Sequence, residues 1–240
     1  MRITKTLVVF AAVSALSSVH AFASGDGGNI ANGKTIFEQG KGSVPACNSC
    51  HGADGSGDDN MGTPRLAGQG FTFIVKQLND FATDKRMDTT MFTMNTNAKG
   101  LSEEDRRDVA AYVASLDTPN TASDMNQVKD LGNPVGTRYL GKALASYGAP
   151  ERGIPACHSC HGFNTRGAPP IYPRLANQRY VYLVNQLKKW RDGSRANDLM
   201  GQMRKVAKNM SDDDIYNVSA FLTSAPLTTV GNGRLPPPAH

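Results

Sequence analysis

Cys47-Asn48-Ser49-Cys50-His51 returns 110 positions later as Cys157-His158-Ser159-Cys160-His161. These two pentapeptides use all four cysteines of the 240-residue chain. Two thiols on one helical turn can add across the two vinyl groups of a single haem, and the histidine that follows then lies under the iron as its proximal ligand. The pattern reads as c-type haem attachment. Structural disulfides or a redox CxxC pair would use the cysteines but require no histidine after each pair. A zinc ribbon sets its pairs roughly 15 to 20 residues apart, whereas more than a hundred residues separate these. The motifs predict two covalently bound haem c groups. Cys47, Cys50, Cys157 and Cys160 would carry them, with His51 and His161 on the irons.

The surrounding sequence repeats too. Pro64-Arg65-Leu66-Ala67-Gly68-Gln69 returns as Pro173-Arg174-Leu175-Ala176-Asn177-Gln178, and Gln77-Leu78 as Gln186-Leu187, each displaced by 109 positions. Gly33-Lys34 and Gly141-Lys142 are 108 apart. Matching blocks with slightly drifting offsets are the mark of one fold present twice.

Within each copy the apolar spacing predicts helices and nothing predicts strands. Phe73, Ile74, Leu78 and Phe81 share a helical face that Tyr182, Leu183, Leu187 and Trp190 repeat. Ser102 and Ser211 read as N-caps, each followed by acidic residues, with the stripe of Val109, Tyr112, Val113 and Leu116 echoed by Val218, Phe221 and Leu222. The stretch from about Asp117 to Gly136 is rich in Asn, Pro, Thr, Asp and Gly without a sustained period, as a connector is. The expected organisation is a first domain over 24–122, a linker over 123–136, and a second domain over 137–240 ending in an irregular tail.

Residues 1–23 read separately. Arg2 and Lys5 precede an apolar run from Leu7 to Leu16 and a small-x-small Ala21-Phe22-Ala23, which predicts a signal peptide cleaved after Ala23 and a periplasmic protein. That run is too short to span a bilayer. The formal charge of +5 falls to +3 without Arg2 and Lys5, too slight for a nucleic-acid partner. Haem propionates would lower it by about four more charges. The expected partners are redox proteins, a donor and an acceptor, met by a monomer; the balance leaves room for loose association with a membrane surface.

The sixth position on each iron separates electron transfer from catalysis. Of five histidines, His51 and His161 are proximal, His20 leaves with the signal, His158 sits between two cysteines, and His240 is terminal, so a bis-histidine haem is hard to build. Among the nine methionines, only Met91 with Met200 and Met94 with Met203 keep the offset of 109. Spacing alone does not choose between these pairs.

These features together resemble the dihaem cytochrome c4 family over nearly the whole chain after residue 23. They are the two CxxCH motifs, the Pro-Arg-Leu-Ala-x-Gln blocks, the Gln-Leu helices, and a methionine eight residues before each capping serine. The resemblance implies an all-α fold of two tandem class I cytochrome c domains, each wrapped around one haem. It implies Met94 and Met203 as the second iron ligands, and the carbonyls of Pro64 and Pro173 as hydrogen-bond acceptors for the proximal histidines. Its functional implication is a periplasmic electron carrier, not an enzyme, between a respiratory or dehydrogenase donor and an acceptor such as a haem-copper terminal oxidase. An electron-accepting haem subunit of a sulfur-compound or alcohol oxidising enzyme is the alternative. Arg65, Arg174, Tyr180, Tyr182 and Trp190 stand as candidates to bind propionates. The more polar run Met94-Asn95-Thr96-Asn97, set against Met203-Arg204-Lys205-Val206, predicts a wetter first haem pocket.

Overall fold

A computed structural model describes residues 27–88, 92–117 and 121–227. The predicted signal segment, the far end of the tail and Met91 lie outside the described residues. The first unit runs through α1 (Ile30–Gln39), α2 (Asn48–His51), α3 (Phe71–Ala82), α4 (Thr93–Lys99) and α5 (Glu103–Ser115). After α6 (Met125–Asp130), the second unit repeats the order as α7 (Arg138–Tyr147), α8 (Cys157–His161), α9 (Tyr180–Asp192), α10 (Gln202–Lys208) and α11 (Asp212–Leu222). Among the described residues the only extended pairings are isolated bridges, such as Lys41 with Val44 and Ala149 with Ile154 at matching places in the two units.

Each unit is closed by its first and last helices, α1 against α5 and α7 against α11. The helices meet at a glycine: a Cβ on Gly33 would lie 1.9 Å from the Asp108 carbonyl oxygen, and one on Gly141 1.8 Å from that of Asn217. No larger residue permits that approach, which explains why Gly-Lys recurs in both copies. Both late helices open with a reciprocal capping box. Ser102 Oγ accepts from Asp105 N while the Asp105 carboxylate accepts from Ser102 N, and Ser211 with Asp214 repeats the arrangement.

Two apolar clusters result, one per unit. Ile36, Phe37, Ile74, Leu78, Val109 and Val113 are buried in the first, and Leu144, Ile154, Leu183, Ile215, Val218 and Phe221 in the second. The connector is more ordered than its composition predicts. Asp124 caps α6 through Asn126 N and Gln127 N, and Val128 is wholly buried in the second cluster. Buried Ser123 also accepts from Tyr180 N and exchanges hydrogen bonds with Thr223. This segment is fastened to the second unit.

Candidate haem sites and the domain interface

In both units the CxxCH motif forms a single helical turn, α2 and α8. Cys47 is partly buried, and burial pushes its thiol up to about 11. Cys157 is pushed up to about 11 by the same cause. Such positions disfavour a charged sulfur and suit the uncharged sulfur of a thioether. No disulfide joins these cysteines to one another.

His51 and His161 are each 7% exposed. Burial lowers both pKa values and keeps the imidazoles neutral, the form that ligates a metal. The His51 Nδ1 lies 3.2 Å from the Pro64 carbonyl oxygen, and the His161 Nδ1 lies 2.8 Å from that of Pro173. A carbonyl only accepts, so Nδ1 carries the proton and the Nε2 lone pair is left for iron. The acceptor loops depend on glycine. Gly57 at φ 70° and Gly167 at φ 93° accompany backbone N–H bonds to the His51 and His161 carbonyls. Both press on the peptide that accepts the ring proton: a Cβ on Gly57 would fall 2.5 Å from the Pro64 carbonyl carbon, and one on Gly167 3.0 Å from Arg174 N.

The three candidate methionines among the described residues fare differently. Met94 is partly buried against the first apolar cluster, and Met203 in α10 is partly buried. Met200 is 78% exposed, with its backbone in the left-handed region at φ 55°. Asn95 beside Met94 is buried and spends its amide on the chain itself, donating to the carbonyls of Phe81 and Arg86 while its oxygen accepts from Asp88 N. Its polarity is consumed in shaping the loop.

The recurring Pro-Arg-Leu-Ala-x-Gln block lies at the contact between the units. Gln178 Oε1 accepts from Arg65 N (2.6 Å) and its Nε2 donates to the Arg65 carbonyl (2.9 Å). Gln69 does the same to Arg174, with Arg174 N to Oε1 at 3.1 Å and Nε2 to the carbonyl at 2.7 Å. Arg86 and Arg195 are also 109 positions apart and meet nearby. Sequence reasoning passed over both arginines and the partner of each glutamine, although the same offset marks them.

Of the propionate candidates, Arg65 Nη2 donates to Thr121, and the Tyr180 hydroxyl to the Pro134 carbonyl in the connector. Tyr182 accepts from Arg86, and the Trp190 ring lies beneath Arg195. The buried Arg174 Nε and Arg166 Nη2 have no hydrogen-bond partner, and both residues border a cleft of about 170 Å³ with Gly68, Phe71 and Pro170. Unsatisfied guanidinium groups at such a cleft fit a carboxylate-bearing group. With the paired thiols and neutral, oriented imidazoles, the residues present fit a haem in each unit.

Two helical units, each carrying a CxxCH turn and a buried, carbonyl-oriented histidine, define a tandem c-type cytochrome. The cytochrome c family model matches residues 30–117 and again 141–226. The thiosulfate dehydrogenase electron acceptor of Stutzerimonas stutzeri (strain A1501) is 37% identical over 81% of this chain and 86% of its own length. Cytochrome c4 of Pseudomonas aeruginosa is 34% identical over 76% of this chain and 85% of its own. The as-isolated thiosulfate dehydrogenase from Marichromatium purpuratum superposes with a TM-score of 0.74 at 33% identity, covering 88% of this chain; the chain spans 43% of that longer protein. The chain belongs to the cytochrome c family, in its dihaem cytochrome c4 branch. It binds two covalent haem c groups, with CxxC motifs at 47–50 and 157–160, and transfers electrons.

Proposed function

We propose that the chain is an exported, two-haem electron relay that accepts electrons from a sulfur-compound dehydrogenase. The observation that carries the relay is the paired site: two neutral, buried histidines, each oriented by a carbonyl, each following two cysteines on one turn. Cys47 and Cys50 attach the first haem and Cys157 and Cys160 the second; His51 with Met94 and His161 with Met203 hold the irons. The exposure of Met200 and the partial burial of Met94 and Met203 support that choice. The matched ranges 30–117 and 141–226 support domains over 24–122 and 137–240, and the leader-like residues 1–23 support export to the periplasm. Among the described residues no helix is long and apolar enough to cross a membrane.

When bound, haem iron supplies one-electron oxidation and reduction. The chain's own residues do the rest. Pro64 and Pro173 hold each imidazole in the tautomer that presents Nε2. The apolar clusters around α3, α5, α9 and α11 keep water from the site, and a soft methionine thioether as the second ligand would favour the reduced state. If His51 with Met94 and His161 with Met203 hold the irons, the protein's own side chains would leave no ligand position open to substrate, which fits a carrier.

The donor reading rests on the 37% identity to a thiosulfate dehydrogenase electron acceptor. The cytochrome c4 relative favours a second reading, a respiratory shuttle toward a haem-copper terminal oxidase. Stopped-flow mixing of the oxidised protein with a thiosulfate dehydrogenase and thiosulfate decides between them. Reduction of both haems at enzyme-limited rates is expected; reduction by a quinol-oxidising complex but not by the dehydrogenase would overturn the donor assignment in favour of the shuttle.

A further inference from the structure

The peptide linking Pro64 to Arg65 is engaged at both ends. Its carbonyl oxygen accepts the His51 ring proton, and its N–H donates to Gln178 Oε1, a side chain of the other domain. The peptide linking Pro173 to Arg174 repeats this, with its carbonyl on His161 and its N–H on Gln69 Oε1 of the first domain. Gln69 and Gln178 are each 5% exposed, so water competes poorly for either bond.

We infer that Gln178 tunes the first haem and Gln69 the second, each acting across the domain boundary through the peptide that orients the opposite proximal histidine. The peptide's N–H and C=O share one delocalised system, so accepting a bond from its N–H draws electron density onto its oxygen. A more negative oxygen pulls harder on the imidazole proton. The ring then gains imidazolate character, donates more strongly to iron and stabilises the oxidised state. Each glutamine is thus a positioning residue that lowers the potential of the haem in the domain to which it does not belong. A change in how the domains pack would alter both potentials by the same route. The inference rests on the reading of His51 and His161 as proximal ligands.

The test is an NMR-monitored redox titration of the full haem-loaded chain, following each haem's methyl resonances separately, in wild type, Gln178→Leu and Gln69→Leu. In reduced wild type, ring protons of His51 and His161 shifted far upfield by the haem ring current establish them as ligands; their absence there would reject the ligand reading, and this inference with it, before any variant is made. With them present, Gln178→Leu should raise the potential of the first haem, leave the second in place, and weaken the hydrogen bond reported by the His51 Nδ1–H resonance. Gln69→Leu should give the mirror result. Gln178→Asn keeps a carboxamide one methylene too short and should move the first haem in the same direction, which covers a poorly folding Leu variant. Equal shifts of both haems, a shift confined to the mutated domain, or no shift would overturn the crossed assignment.

Discussion

Arg86 and Arg195 face each other across the domain boundary and share two neutral oxygens. Gln77 Oε1 accepts from Arg86 Nη1 at 2.7 Å and Arg195 Nη2 at 3.2 Å, and Gln186 Oε1 accepts from Arg86 Nη2 at 2.9 Å and Arg195 Nη1 at 2.8 Å. Each of these residues lies 109 positions from its counterpart, so the contact is self-complementary, as the interface of a symmetric dimer is. Both arginines are 7% exposed, and burial, reinforced by the Arg86 charge, pushes Arg195 down to about 9. The carboxamide oxygens between them, together with Tyr182, Asn197 and the rings of Phe81 and Trp190, help two like charges to sit this close.

Removing one of those oxygens leaves guanidinium N–H groups buried without their partner. Gln186→Leu is expected to destabilise the protein by about 1.5–3 kcal/mol, the range for hydrogen bonds to charged groups. Gln77→Leu should cost a similar amount, and the double variant less than the sum, because both bonds serve the same two arginines. Denaturant unfolding of the four proteins measures this; strict additivity would show that the ring is not one unit.

Gly57 and Gly167 support the histidine-orienting peptides from behind. Alanine at Gly57 must adopt a positive φ, costing about 1–2 kcal/mol, and its Cβ would sit 2.5 Å from the Pro64 carbonyl carbon. Gly57→Ala should therefore lower the Tm by several degrees and, unlike an ordinary surface glycine change, alter the spectrum of the first haem alone. Gly42→Ala is the control: it shares the positive φ but meets nothing within 4 Å. Circular dichroism melts and separate haem spectra check both statements.

The two methionine pairs separate in the second domain. Met203→Ala should leave its iron without a sixth protein ligand, shown by loss of the near-infrared methionine-to-iron band and by new binding of carbon monoxide. Met200→Ala should change neither, because that side chain is 78% exposed. A low-spin, ligand-refusing haem in Met203→Ala would reject the assignment.

What was legible in the sequence is what is local and contiguous. The CxxCH turns, the capping serines and the apolar stripes each lie within a few turns of chain, and the duplication doubled every signal. The repeat also marked Gln69 with Gln178, but a displacement of 109 positions says that two residues are equivalent, not that each grips the other's domain. Arg86 and Arg195 were passed over because part of what holds each one, Tyr182 and Gln186 for the first and Gln77 for the second, comes from the opposite unit. The helix α6 was hidden by its length: six residues with Val128 as their buried contact have no period to detect, and the cap at Asp124 lies among turn-forming residues. The proposed preference for Met203 over Met200 rests on side-chain exposure, which spacing does not carry.

The capping box of the last helix predicts a pH dependence. Asp214 accepts from Arg152 Nη1 at 2.6 Å, a bond that holds its carboxyl below the ordinary 3.8 against the opposing effect of partial burial; Ser211 N and Oγ add to it. A carboxylate with a depressed folded pKa contributes stability that is fully present above its unfolded value and is lost as pH falls through the folded value. The Arg152 side chain is 43% exposed, so solvent screening limits the ion pair to roughly 1 kcal/mol or less, with the cap itself worth about 1 kcal/mol. Asp214→Asn should therefore melt below wild type at neutral pH, and the gap should narrow as pH drops below 3.8 and the wild-type carboxyl takes up its proton. Thermal unfolding of both proteins from neutral pH down to about 2 measures it; a gap that stays constant across that window would place the effect of the substitution in packing, not in the charge.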